Sequence, residues 1–499
     1  MTASTHSTFS TWITDAWAAA LEPLRTAPWG ELRDFWLAKI FDDRFLVAWF
    51  LPLVPLLLLV PARHLRAGLL AASCAFIGYV FGAAYLVFWL LAGVALFQFS
   101  EHYARLCRRP GARPWGPPLL AIGVVVGVYV GTLLVRWAFL PVGLNAWLQE
   151  NLPYLFPLGS RGLWWEPSFR PFEAVRERLG FIPLLTAVFF DAHTIGTAYL
   201  LVRMLHYFSE LRRDSIPPHR RTLLNFLAYI SYGPALIQGP LERYDVFQDE
   251  LDTCHQRRKL ARVPSALARM GLGVVKSIFA QLYLRPAMYY NMGLGGNPQK
   301  HFHYFDYPES ISTLWLYLGL FMPIFWIYIE MSGYVDISAG IARLLGYRQV
   351  ENFNKPWLAT SLRDFWRRWH ISLSMILRDY IYIPLGGNRR HQTLNNVVTF
   401  AVCGAWHPPV LAAASWGVVM GLMLAVNQRW AEWMKRVDAA PRGPVAAIRR
   451  AVLRVPLLPQ VLGWVVTQHA FVWSLLMFNH GPLPAIRVPW ELARRLLVD

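Results

Sequence analysis

The chain has 499 residues, of which 55% are hydrophobic, 15% aromatic and only 16% charged. An ordinary soluble domain carries about 25% charged residues, so composition excludes secreted, disordered and ordinary cytosolic proteins and leaves a polytopic membrane protein. The formal net charge of +18 does not make it a nucleic-acid binder. Its basic residues fall in short clusters between apolar runs, at Arg105, Arg108, Arg109 and Arg113, at Arg212, Arg213, Arg220 and Arg221, and at Arg257 to Lys259. Positive-inside topology produces that pattern, whereas a nucleic-acid binder gathers its charge on one face or domain. The four cysteines (Cys74, Cys107, Cys254, Cys403) are scattered, which suggests neither a disulfide framework nor a metal site.

In chain order, residues 1–45 lack the basic start and apolar core of a signal peptide. With Trp12, Trp17, Trp29 and Trp36 among charged residues, they read as an interfacial amphipathic region. Apolar runs follow at 46–62, 67–98, 118–142, 181–203, 222–240, 265–287, 312–332, 393–407, 410–428 and 457–478. Some are short and some are broken by Gly and Pro, so about eight to eleven membrane segments are expected, several of them re-entrant. The 67–98 run suits two short helices or one long tilted one. Residues 46–180 are expected to form N-terminal transmembrane helices and an outer loop, 181–480 a core, and 481–499 a C-terminal tail.

Charge orients the loops. The 101–116 loop sets four arginines against Glu101, while 143–180 balances four arginines with four glutamates. The first is expected in the cytoplasm and the second outside. The basic stretches 204–221, 343–391 and 429–454 are again expected to be cytoplasmic, in a multi-pass membrane protein. For 241–264 to lie there too, the 222–240 run must turn back, and Gly233-Pro234 and Gly239-Pro240 favour a broken element.

The chemistry-bearing stretch runs from Tyr328 to Trp416. It opens with Asp336 inside an apolar run, and an intramembrane carboxylate is costly enough to be paired or functional. The expected partner is Arg343 or an arginine farther along, a pairing that can also organise a site. In the following segment, Arg363, Arg367, His370 and Ser374 share one face of a helix at i, i+4, i+7 and i+11. Trp366, Trp369 and Leu373 form a neighbouring apolar face. Such a cationic strip, with Arg368, beside an aromatic one suits the phosphates and adenine of a nucleotide-bearing donor, but on composition alone it fits an interfacial helix meeting lipid phosphates better. Residues 377–389 then end a helix in a glycine turn at Gly386-Gly387-Asn388. A new helix from near Thr393 should stop at or near His407, because Pro408 disfavours helix for its predecessor. Fourteen helical steps carry His407 ~21 Å from the start, placing an imidazole deep in the membrane next to Trp406. Small residues at 403–405 allow close helix packing there. Histidine is also the side chain best matched to acid–base work near neutrality.

At these residues the chain resembles the membrane-bound O-acyltransferases, nearest their bacterial branch acting in alginate O-acetylation and teichoic-acid D-alanylation. The matching strings are SGYVD (332–336), ENFNKPW (351–357), DFWRRWHISLS (364–374), LRDYIYIPLGGNR (377–389) and GAWH (404–407), with weaker echoes in LIQGPLERYDVF (236–247) and GLGVVKSIF (271–279). The resemblance implies an all-α membrane fold surrounding a funnel or tunnel. It implies His407 as the catalytic residue and His370 as the second signature histidine. Arg363, Arg367, Arg368 and Trp369 become candidates for holding the donor, and Asp336, Trp406 and Asn388 for organising the site. The implied co-substrate is a cytoplasmic thioester such as acyl-CoA, with no bound cofactor. The acyl group, with acetyl the favoured one, would pass to a hydroxyl at a bacterial inner membrane, in exopolysaccharide O-acetylation with a periplasmic partner or directly on a lipid or small molecule. The sequence departs from the pattern at Pro408-Pro409, where Gly and a small residue usually follow the histidine. It departs again at Met420, near which the polysaccharide branch carries a later histidine. A transporter without acyl chemistry, lined by Asp336, broken helices and His407, is the alternative of a different class.

Overall fold

The computed structural model describes residues 59–108, 197–280, 313–407, 411–439, 443–480 and 482–498, apart from 82 and 237, together with 123 and 284. The expected interfacial region 1–45, the outer loop 143–180, nearly all of the 118–142 run, and Pro408-Pro409 lie outside the described residues. Among the described residues there are fourteen α-helices and no strand. Two of these helices contain stretches long and apolar enough to cross a membrane, Leu316–Leu344 and Leu458–Phe478.

The long 67–98 run is two helices, α1 (Leu65–Phe81) and α2 (Ala83–Cys107). They pack with α3 (Thr197–Arg212) and the short α4 (Leu223–Ile230) through Phe76, Trp89, Tyr207 and Phe226, all nearly or wholly buried. Thr222 caps α4 by accepting the Asn225 N–H at 3.2 Å. The helix cannot continue past Gly233-Pro234, so its last carbonyls need outside donors. Arg203 supplies them. Its buried guanidinium donates to the carbonyls of Tyr229 (2.9 Å), Ile230 (3.2 Å) and Ala235 (3.4 Å). The broken segment thereby has these carbonyls satisfied from within the protein, as a segment interrupted by Gly and Pro requires in an apolar setting.

Two basic clusters meet at one end of this bundle. Arg108, just beyond α2, and Arg221 both bind the Asp214 carboxylate. Arg221 and Arg108 hold that exposed carboxyl below the usual carboxylate range. Residues from two loops assigned to the cytoplasm by charge thus meet on one carboxylate.

After α5 (Tyr244–Thr253), α6 (Val263–Phe279) lies along α7 (Thr313–Leu344). A Cβ on Gly273 would stand 2.5 Å from the Gly333 carbonyl, so the two backbones approach as only small residues permit. This contact corrects the expected pairing of Asp336. Its partners are Arg269 Nε at 3.1 Å and Lys276 Nζ at 2.6 Å, both on α6. Arg343 sits on the same helix as Asp336, and donates instead to the Ser265 carbonyl at 3.5 Å. Arg269 and Lys276 are themselves two turns apart, and so present both cations to one side of α6.

The second half begins with the short helices α8 (Leu362–Arg368) and α9 (Ile371–Leu377), and a π-helical turn at Arg378–Tyr382. A glycine turn then leads into α10 (Gln392–Trp406), followed by α11 (Leu411–Ala439), α12 (Pro444–Arg454) and α13 (Leu458–His480). Residues 482–498, set apart by sequence as a tail, form α14 (Pro482–Val498), which buries Ala485, Val488 and Leu492 against Leu316 and Leu476.

Helices α10 and α11 form a hairpin held by small residues. A Cβ on Gly404 would lie 2.0 Å from the Ala413 carbonyl, and one on Gly417 would lie 2.0 Å from that of Phe400. Gly417→Leu is therefore expected to cost at least ~1–3 kcal/mol by overpacking, read as a lower unfolding temperature in detergent. Gly271→Leu is the control, since nothing lies within 4 Å of its Cβ position. Equal loss from both variants would remove the close-packing argument.

Candidate active site

The site is built at the end of the α10 hairpin arm. As expected from Pro408, α10 stops at Trp406, and His407 is its C-cap with extended backbone (φ −65°, ψ −166°). The geometry then decides the tautomer. His407 Nδ1 lies 2.7 Å from the Cys403 carbonyl oxygen one turn back. A carbonyl can only accept, so the proton sits on Nδ1 and the neutral ring keeps its lone pair on Nε2. Among the described residues nothing is hydrogen-bonded to Nε2. The ring is walled edge-on by Trp406 (4.9 Å between centroids), Phe478 (5.4 Å) and Trp416 (5.9 Å). An aromatic cage with one basic nitrogen left over is suited to taking a proton from a hydroxyl.

His370 reaches the same place from another direction. Its ring packs at right angles to Trp406, 6.4 Å between centroids, so Trp406 touches both histidines. His370 is only 4% exposed, and its Nδ1 finds no hydrogen-bond partner among the described residues. The single helix expected over 363–374 is not what forms, and the shared face of Arg363, Arg367, His370 and Ser374 is corrected accordingly. Helix α8 closes with Trp369 N–H on the Phe365 carbonyl, and α9 starts anew after His370, whose backbone is left-handed (φ 43°, ψ 55°). The break has its cause in another segment: the Ile371 and Ser372 N–H groups donate to Asn352 rather than to the preceding turn.

The other sequence-selected residues are distributed more widely. Arg363 and Arg367 are exposed on α8. Arg368 binds Asp364 at 2.9 Å, four residues back on the same helix. Trp369 lies in the core against Phe353, Phe365 and Phe471, at 5.2, 5.5 and 5.5 Å. Asn388 accepts from Tyr382 Oη (2.8 Å) and Gln392 Nε2 (2.6 Å), bracing the turn whose Gly386 and Gly387 have positive φ. Asp336 holds α6 to α7. Among them, His370 and His407 each meet the Trp406 ring.

Sequence reasoning did not single out a second polar network beside this site. Tyr244 N–H donates to His206 Nε2 at 2.6 Å, so His206 carries its proton on Nδ1, in contact with Tyr380 Oη. The Tyr380 hydroxyl donates to Glu210 Oε1 at 2.7 Å. His206 and Glu210 are one turn apart on α3, a spacing visible in sequence, but Tyr380 is distant in the chain. The network ties the π-helical turn to α3, whose Tyr199 also packs on Trp406 at 5.9 Å.

With this geometry in hand, comparisons with known proteins place it. The family model described as MBOAT, membrane-bound O-acyltransferase family, matches residues 164–455. The chain is 31% identical to a "Probable alginate O-acetylase" of Azotobacter vinelandii over 275 residues, 54% of this chain and 50% of that protein. It is 26% identical to a peptidoglycan O-acetyltransferase of Helicobacter pylori, covering 49% and 41% of the two chains. It is 25% identical to a teichoic acid D-alanyltransferase of Streptococcus thermophilus, covering 49% and 59%. The match thus spans about half the length of these relatives.

Proposed function

Since the chain belongs to the membrane-bound O-acyltransferase family, we propose that it transfers an acyl group from a thioester donor to an acceptor hydroxyl, with His407 as general base. The observation that carries the reading is the bond from His407 Nδ1 to the Cys403 carbonyl, which leaves Nε2 unprotonated in an aromatic enclosure. In the reaction, Nε2 takes the hydroxyl proton as the oxygen attacks the thioester carbonyl. The tetrahedral adduct collapses to an ester, the C–S bond breaks, and the imidazolium returns its proton to the departing thiolate. Exposed Arg363 and Arg367 are placed to meet the phosphates of a donor such as acyl-CoA, which acts as co-substrate. The relatives are named for alginate, peptidoglycan and teichoic acid. All three are polymers and two of the relatives are named for acetyl transfer, which supports our reading of acetyl transfer toward a polysaccharide, with a partner enzyme outside the membrane. The basic 363–391 segment then faces the cytoplasm of a bacterial inner membrane.

Purified protein incubated with acyl-CoAs of graded chain length tests the proposal. The expected result is thioester cleavage dependent on an added hydroxyl acceptor, fastest with the acetyl donor, and an ester product identified by mass spectrometry. Donor binding with no cleavage under any acceptor would support a conduit or transporter and overturn the enzymatic reading.

A further inference from the structure

We propose that Asn352 is a positioning residue for His370, an inference that rests on reading His370 and His407 as the reaction site. The observation behind it is the interruption of a helix that the sequence periodicity would have continued. Unbroken, residues 362–377 would run as one helix, and His370 would lie on the same face as Arg363 and Arg367. The break instead leaves His370 in the left-handed region, which a residue with a Cβ adopts only where its surroundings enforce it.

Those surroundings are a clamp with Asn352 at its centre. The Asn352 carbonyl accepts the Ile371 N–H at 2.9 Å. Its side-chain Oδ1 accepts both the Ser372 N–H at 3.1 Å and the Ser372 hydroxyl at 2.6 Å. The Ser372 oxygen in turn accepts the Leu241 N–H at 2.9 Å. On the other side of the histidine, the Asn354 N–H donates to the Arg368 carbonyl at 2.9 Å. Both flanks of His370 are therefore bound to the 352–354 segment, with Asn352 wholly buried and Ser372 2% exposed. The imidazole, held between them, is directed onto Trp406 with its Nδ1 unpartnered.

Three strings singled out in the sequence, 236–247, 351–357 and 364–374, thus converge on one backbone conformation. Asn352 does not touch Trp406 or His407 in any described contact. Its part is to set where the His370 ring stands.

The test uses the full chain in detergent and a readout independent of turnover. Diethylpyrocarbonate modifies accessible imidazoles, and peptide mass spectrometry reports each histidine separately. In the parent, His370 and the fully buried His206 should both react slowly. Asn352→Ala should raise the rate at His370 several-fold and leave His206 unchanged, a difference that general loosening would not produce. Acyl transfer should fall by roughly 10²-fold, as displacement of a site group by about 1 Å can cause, with the donor KM little altered. Because Asn352 acts through His370, the Asn352→Ala/His370→Ala double variant should be no slower than His370→Ala alone.

Unchanged labelling at His370, or a double variant slowed by the product of the two single effects, overturns the proposal. Should His206 also become reactive, Asn352→Ala has lost its fold. Ser372→Ala, which removes the hydroxyl's bonds to Asn352 and Leu241 and keeps the Ser372 N–H on Asn352 Oδ1, then carries the same test. If the parent shows no acyl transfer, the functional reading fails, and labelling still decides whether Asn352 positions the ring.

Discussion

His407→Ala is expected to lower acyl transfer by roughly 10²–10⁴-fold, the range typical for loss of a general base, without loss of folded protein. The imidazole makes one hydrogen bond, to the carbonyl one turn back on its own helix. Removing it therefore leaves no cross-helix bond broken. What disappears is the lone pair on Nε2. His407→Gln sharpens the test, because an amide can still donate to the Cys403 carbonyl yet has no nitrogen that can accept a proton near neutrality. Both variants should bind the acyl donor with near-parent affinity, since the loss falls on the chemical step. Turnover above about a third of the parent in either folded variant would refute the assignment.

Asp336→Ala is expected to act the other way, destabilising the protein by about 3–5 kcal/mol, as when one partner of a buried ion pair is removed. The carboxylate is nearly buried and receives Arg269 and Lys276 together. Arg269 keeps a second partner in Glu351, at 2.6 and 2.5 Å. Lys276 Nζ loses its carboxylate and is left as a partly buried cation between packed helices. Asp336→Ala/Lys276→Met should recover much of the loss, since it replaces a broken pair by apolar contact. The measurement is the unfolding temperature in detergent, with acyl transfer per folded molecule as the companion. A change within about 0.5 kcal/mol, the scale of an inconsequential surface change, together with abolished transfer would make Asp336 a reaction-site residue instead.

The two predictions differ in how far each was visible beforehand. For His407, the proline after it, the small residues before it and the length of the apolar run all act locally. A helix ends where its backbone cannot continue, so the C-cap position was legible. For Asp336, burial inside an apolar run announced a partner without identifying it. The chosen cations lie about sixty residues earlier, and they meet the carboxylate because glycines at 273 and 333 let α6 and α7 touch. Similarly, the i, i+4, i+7 pattern over 363–374 was a sound reading of local periodicity. It failed because Asn352, far outside the window, accepted two N–H groups that a continuous helix would have used, that of Ile371 on its main-chain carbonyl and that of Ser372 on its side-chain oxygen.

Composition, apolar runs and charge clusters by themselves determined the helical class, the membrane character and the end of the arm that carries His407. Each follows from short-range physics: transfer of side chains into an apolar medium, backbone sterics at proline, and the bias of arginine toward one side. Only the tertiary structure decided that His370 and His407 share Trp406, and that His206, Tyr380 and Glu210 form a chain. Those outcomes depend on single hydrogen bonds and ring contacts between segments distant in sequence. Their energies are set by angstrom-scale packing that no local pattern encodes.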